Sequence, residues 1–352
     1  ARSRTRVYDA LNRLQKDIGA TTPSTQISQY GYDNQGNGTT TTDPLSRVTT
    51  NAFDALNRLV QVTDPNTPTA GITKYDYDVQ DNLTKVIDPK FSPQGATAPA
   101  TTYTYNGFNE LISQSSPDTG VTSFTYDAAG NMLTKTDARD KVAKYVYDNI
   151  NRVTQIKYYP TTANANANTS ADETVTYTYD TCTNGKGRLC TLSDKSGTTT
   201  YSYDIQGRTT AKSQNVSSLT QAHSYRYNTA GQMDQLTTAS GQVMGYGYTN
   251  NRVTSISVNG VALLGSITYD PFGPAVAWLW PSATTPALKT YRDYDLDGRM
   301  IRWELKNGVS YIQRDVVWDN ASRVTNLKDL LTTTQANNQG FGYDAMDRLT
   351  TT

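Results

Sequence analysis

Fifteen times along the chain an aromatic residue is followed by a short turn-forming segment, and most copies read Tyr-Asp-x-x-Gly/Asn-Arg-Leu/Val/Met-Thr. The anchors are Tyr8, Tyr32, Phe53, Tyr77, Tyr105, Tyr126, Tyr147, Tyr179, Tyr203, Tyr227, Tyr248, Tyr269, Tyr294, Trp318 and Tyr343. Their spacings run from 21 residues (Tyr32 to Phe53) to 32 (Tyr147 to Tyr179). A recurring period of this length marks stacked supersecondary units, each burying its neighbour's face, and so constrains architecture before it says anything about activity.

Each unit reads as a hairpin. The approach to the anchor alternates, as in Thr102-Tyr103-Thr104-Tyr105 and Thr200-Tyr201-Ser202-Tyr203, which puts both tyrosines on one sheet face and the small polar residues on the other. A turn follows, as in Asp127-Ala-Ala-Gly130-Asn131 or Asp204-Ile-Gln-Gly207-Arg208, where Asp bonds its own backbone and Gly accepts a positive φ. The second strand alternates again, as in Arg152-Val153-Thr154-Gln155-Ile156-Lys157. Return turns such as Asp118-Thr-Gly120, Asn259-Gly260 and Asn307-Gly308 close the unit and carry its variation in length. The longest interval holds the low-complexity stretch Thr161–Ser170, which reads as a mobile surface loop. No apolar period of 3.6 residues persists, so the chain is expected to be all-β: one continuous array of about fifteen hairpins over residues 1–352, and a segment of a longer protein. About thirty strands at ~4.8 Å apart would run roughly 140 Å, and a sheet that wide must curl as its twist accumulates.

Composition agrees. Apolar residues make up 36% of the chain, below the roughly 45–50% usual for globular domains, so a thick core along the whole length is not expected. Thr (56 residues) and Tyr (25) suit a pleated, half-exposed surface. Lys plus Arg equals Asp plus Glu at 32 each, with no block of one sign, which disfavours nucleic acid or an anionic membrane as partner. No apolar run is long enough to span a bilayer.

Sites for chemistry are sparse. His223 is the single histidine and lies in no catalytic motif. Cys182 and Cys190 bracket two turn glycines; they suit a disulfide across a hairpin, which would mean an oxidising exterior, or else stay free buried thiols. Asp293-Tyr-Asp295-Leu-Asp297-Gly298 with Glu304 matches a calcium-loop pattern, yet it is one more copy of the repeat and is followed by strand-like rather than helical sequence. The recurring Asp/Arg pairs, such as Asp9 with Arg13, read as braces within their own turns, since Asn37, Asn82, Glu110 and Gln232 replace the Arg. The aromatic stripe reads as a buried ladder. Trp278-Leu279-Trp280-Pro281 suits a cap, a contact with another chain or packing inside the curl. No enzymatic activity, cofactor or metal is expected.

The repeats Tyr8-Asp-Ala-Leu-Asn-Arg-Leu14, Tyr126-Asp-Ala-Ala-Gly-Asn-Met132 and Tyr203-Asp-Ile-Gln-Gly-Arg208 resemble those of Rhs/YD-repeat proteins, as do Thr42-Asp-Pro-Leu-Ser-Arg-Val-Thr49 and Tyr269-Asp-Pro-Phe-Gly-Pro274. That family includes bacterial Rhs polymorphic toxins, the C components of insecticidal toxin complexes, and teneurin adhesion proteins. The resemblance implies a β-ribbon coiled into a hollow shell, enclosing a C-terminal effector in the toxins and serving as an adhesion scaffold in teneurins. Toxin members end the shell with paired Asp-Pro-x-Gly elements that support self-cleavage. Here Asp270-Pro271-Phe272-Gly273 stands alone and reads as an ordinary repeat variant, so self-cleavage and toxicity are not carried over.

Two functions are therefore expected from different classes. The first is a structural β-shell of a secreted or surface-exposed bacterial protein that encloses or displays another domain. Its partners would be the rest of the parent chain, further copies, or an enclosed effector. The second is an extracellular fibre or adhesin in which arrays join end to end through open terminal strands.

Overall fold

The computed structural model describes residues 4–20, 26–65, 71–88, 100–281, 287–330 and 338–351. Each strand pairs antiparallel with the next in sequence, giving a meander of 29 hydrogen-bonded strands in a sheet that does not close; Gly342–Tyr343 and Leu349–Thr351 form a further small ladder. The all-β reading and the hairpin assignment hold.

One local rule generates the curl. At every anchor the register slips by one residue: Val7 opposes Lys16 but Tyr8 opposes Leu14, and the same shift recurs at Tyr126, Tyr147, Tyr227 and Tyr343. Such a bulge adds twist to its strand. Because each one sits beside the Tyr-Asp turn, the extra twist is always applied at the same edge of the ribbon. Variation in repeat length falls mostly at the opposite edge, where the return turns lie, the enlarged turn after Tyr179 being an exception.

The ribbon winds far enough for its two edges to meet. The backbone N–H of Ala20, in the return between the first and second hairpins, donates to Asp297 Oδ1 at 2.8 Å. Arg47, in the next return, donates to Ala345 O at 2.9 Å and forks onto Asp347 at 2.7 and 3.2 Å. About twelve hairpins therefore complete one wind, and the thirteenth to fifteenth rest on the first returns.

A wall one sheet thick leaves most side chains half-buried. The chain exposes 21286 Å², against about 14,000 Å² for a close-packed monomer of its mass. This corrects the expectation of a buried aromatic ladder: Tyr8 is 49% exposed and the other anchors are half-buried. One side of the sheet stays open to solvent along most strands.

A second correction concerns residues 161–170. Thr162–Ala167 is a helical turn and a half, not a loop. Thr161 caps it, its hydroxyl accepting from Asn164 N, and Asn168 ends it in the left-handed conformation (φ 55). Ala165 is buried against Val142 and Tyr159, so the helix forms a local second layer over the sheet. Short Asn/Ala sequence is too weak to hold a helix alone; the caps and that contact supply what propensity does not.

The tryptophan segment is strand Ala275–Trp280. Trp278 packs within the sheet with the Arg292 guanidinium 4.7 Å from its ring, and Trp280 Nε1 donates to Thr290 Oγ1 at 2.8 Å.

Candidate functional site

The residues that repeat are the residues that build the site, which is the turn edge of the ribbon. In the first unit Asp9 Oδ1 accepts the backbone N–H groups of Leu11 and Arg13, both at 2.9 Å, while Oδ2 takes Arg13 Nε at 2.7 Å. Asn12 closes the turn at φ 61, the left-handed conformation that explains the Gly/Asn of the motif. The same clamp recurs at Asp54, Asp148, Asp204, Asp295, Asp319 and Asp344. The backbone N–H donors hold the Asp9, Asp54, Asp148 and Asp344 carboxyls below the usual range, with Arg as the further cause.

The arginine then reaches beyond its own turn. Arg13 Nη1 donates to Asp33 O at 3.0 Å, Arg58 to Asp78 O at 2.9 Å and Arg299 to Asp319 O at 3.0 Å, each in the following turn. Each guanidinium also covers the next anchor ring: Arg13 over Tyr32 at 4.6 Å, Arg152 over Tyr179 at 4.4 Å, Arg208 over Tyr227 at 4.5 Å. Where Asn stands in place of Arg it reaches instead to the left-handed Asn of the next turn, as Asn37 to Asn57 (2.8 Å), Asn82 to Asn109 (2.9 Å) and Asn131 to Asn151 (2.9 Å). Gln232 does the same with Asn251 at 2.6 Å. The substitutions thus belong to a ladder between turns as well as to bracing within them.

The anchors complete the link backwards. Tyr32 OH donates to Leu14 O at 2.8 Å, Tyr77 to Leu59 O at 2.9 Å, Tyr147 to Met132 O at 2.8 Å and Tyr343 to Val324 O at 2.8 Å. Tyr105, Tyr126, Tyr179, Tyr203, Tyr227, Tyr248, Tyr269 and Tyr294 follow the same rule, and Trp318 uses its indole N–H on Met300 O. The acceptor is always the residue paired with the preceding anchor, so the bulge that twists the strand also turns a carbonyl toward the next ring. Burial pushes the Tyr77, Tyr105 and Tyr147 hydroxyls up.

Other positions singled out in the sequence fall as follows. Cys182 and Cys190 are joined by a disulfide, Cα–Cα 5.6 Å, which closes the enlarged turn after Asp180. Glu304 is held by Lys306 Nζ at 2.7 Å, Asp295 is clamped to Arg299, and the segment is strand–turn–strand, so the calcium-loop carboxylates do not converge. Among the described residues no three His, Cys, Asp or Glu side chains gather as a metal site, and no helix is long and apolar enough to cross a membrane. Asp270–Pro274 departs from its siblings: the positive φ falls on Phe272 (φ 58), whose side chain is fully exposed, and Pro replaces the reaching Arg. The contact sequence reasoning missed is Arg47 on Asp347. Its signal was present, since Asp43-Pro-Leu-Ser46-Arg47 repeats the motif's turn without an aromatic anchor.

A ribbon whose hairpins are tied to one another by anchor rings and by Arg, Asn or Gln at the turns, and whose edges meet after one wind, defines a YD-repeat shell wall. The family comparisons agree: a model of the Teneurin YD-shell matches residues 73–222, and one of the RHS repeat matches residues 53–90. Residues 53–222 are thus matched by models of YD-shell and RHS-repeat sequence. No curated protein matches the sequence. The fold is similar to that in the crystal structure of TcdB2-TccC3, with a TM-score of 0.81 at 16% identity over 98% of this chain and 19% of that one. The Photorhabdus luminescens Tc holotoxin pore gives a TM-score of 0.80 at the same identity and coverage. The chain thus spans about a fifth of the length of the proteins it matches.

Proposed function

We propose that this chain is a non-enzymatic wall segment of a secreted or surface-exposed bacterial Rhs-type shell that encloses or displays another polypeptide. The observation that carries the reading is the meeting of the two ribbon edges through Arg47 and Asp347, about twelve hairpins apart. A ribbon that lands on itself after one wind bounds a volume. The same contact favours a shell over a fibre, because it occupies the edge along which the coil would otherwise stay extended. The repeated acids also support a structural role: in most turns they are committed to backbone N–H groups and arginines, not gathered in a cleft. The disulfide suits an oxidising exterior. Enclosure of a partner polypeptide is carried over from the resemblance of these repeats to those of Rhs toxin shells. Electron microscopy of the chain within its full-length polypeptide is expected to show compact hollow bodies with density inside. Rods of indefinite length, or bodies with an empty lumen and no second polypeptide attached, would overturn the proposal.

A further inference from the structure

The hairpin formed by Thr209–Val216 and Leu219–Tyr227 breaks the rule of its face. On the anchor-bearing face elsewhere a tyrosine often stands opposite an aliphatic residue, as Tyr75 opposite Val86, Tyr145 opposite Ile156 and Tyr246 opposite Ile256. Here Lys212 stands directly opposite His223, and Gln214 opposite Gln221. Tyr201 faces Lys212 from one neighbouring strand, and Tyr225 faces Leu236 on the other. Lys212, Gln214, Gln221, His223, Tyr225 and Leu236 line a cleft of about 260 Å³. Two basic groups placed opposite each other on a sheet repel when both are charged, and no carboxylate lines this cleft to offset them. The other face of the same hairpin is matched: Arg226 there is paired with Asp234 at 3.0 Å.

We infer that this cleft is a binding site for a compact oxyanion, a phosphate or carboxylate group. Lys212 supplies a point charge with rotatable donors, His223 a ring N–H, and the two glutamines neutral amide N–H groups. Donors from adjacent strands converge on one face at strand spacing, with Tyr225 and Leu236 lining the same cleft. An oxyanion seated between Lys212 and His223 removes their repulsion and makes charge-assisted hydrogen bonds to both. The site rests on none of the shell contacts and stands or falls independently of them.

His223 is the single histidine of the chain, so the proton NMR signal of its imidazole reports this cleft alone. The full chain is titrated at constant neutral pH and ionic strength with inorganic phosphate and, separately, with acetate, using chloride as the reference. A saturable shift with phosphate alone assigns a phosphate site, and one with acetate a carboxylate site. Lys212→Gln is expected to weaken it about tenfold, while Lys212→Arg retains it. Lys212 is partly exposed, so neither substitution threatens the fold. Equal response to chloride, or a Lys212→Gln curve that superposes on the parent, would overturn the inference.

Discussion

At most turns a single carboxylate organises the backbone and side-chain donors around it. In Asp148, Oδ1 takes the N–H groups of Ile150 and Arg152 at 3.0 Å, and Oδ2 takes Arg152 Nε at 2.7 Å. The charged form is thereby favoured and the folded-state pKa lies below its unfolded value. The sign follows: stability from these groups is complete above the unfolded value of about 3.9 and is lost as pH falls through the lower folded values. The urea midpoint of the chain should therefore hold steady through mildly acid pH and drop steeply below about pH 4. A midpoint indifferent to that range would mean the clamps contribute nothing. The need for Asp and for Gly or Asn was legible in the sequence, because both act within four residues. The reach of Arg13 to Asp33 and of Asn37 to Asn57 was not, because their separation of 20 residues becomes contact only once the sheet sets the pitch. In retrospect the sequence carries a hint: where the clamp residue is Asn37, Asn82 or Asn131, the left-handed residue of the next turn is Asn. Phe53 shows the limit of the rule in the other direction, keeping the ring and the bulge without a hydroxyl.

At the scale of elements, the turn after Tyr179 is the instructive exception. It is longer than its siblings, and Asp180 does not hold the arginine of its own turn: its carboxylate takes Gly187 N at 2.6 Å and Arg152 from the preceding unit at 2.6 Å. The Cys182–Cys190 bridge, spanning 8 residues, supplies the missing closure. Chain-entropy reasoning for a loop of that size gives about 2.5 kcal/mol. A Cys182→Ser, Cys190→Ser double variant should lose roughly that much in urea unfolding, with amide exchange rising first between Asp180 and Leu189. Unchanged exchange there would show that the turn closes without the bridge. Sequence reading found the cysteines because turn glycines lie between them. It missed the helix at 162–167 because the helix depends on a cap and on Ala165 meeting Val142 and Tyr159, none of which has a periodic signature.

At the scale of the molecule, fifteen small twists at one edge produce the wind, and the seam fixes where it lands. The seam is polar: Ala20 on Asp297, Arg47 on Ala345 and Asp347, and Arg323 sharing Asp347 Oδ1 at 2.7 Å. Gln26, with its amide turned so that both atoms are satisfied, adds a donation to Asp297 Oδ2 at 2.8 Å. Asp347 is 53% exposed, so solvent screens its pair with Arg47 and about 1 kcal/mol is a fair upper figure for it. Curvature is built into every hairpin, whereas closure rests on these few contacts, so the two are separable. Arg47→Ala should leave circular dichroism unchanged yet speed amide exchange in the turn Asp344–Arg348, some 300 residues away in sequence. Arg139→Ala, which removes a guanidinium bonded within its own return turn, is the control and should leave that turn protected. If exchange at Asp344–Arg348 were the same in all three proteins, Arg47 would not be holding the wind, and the argument that this ribbon bounds a closed volume would lose its support.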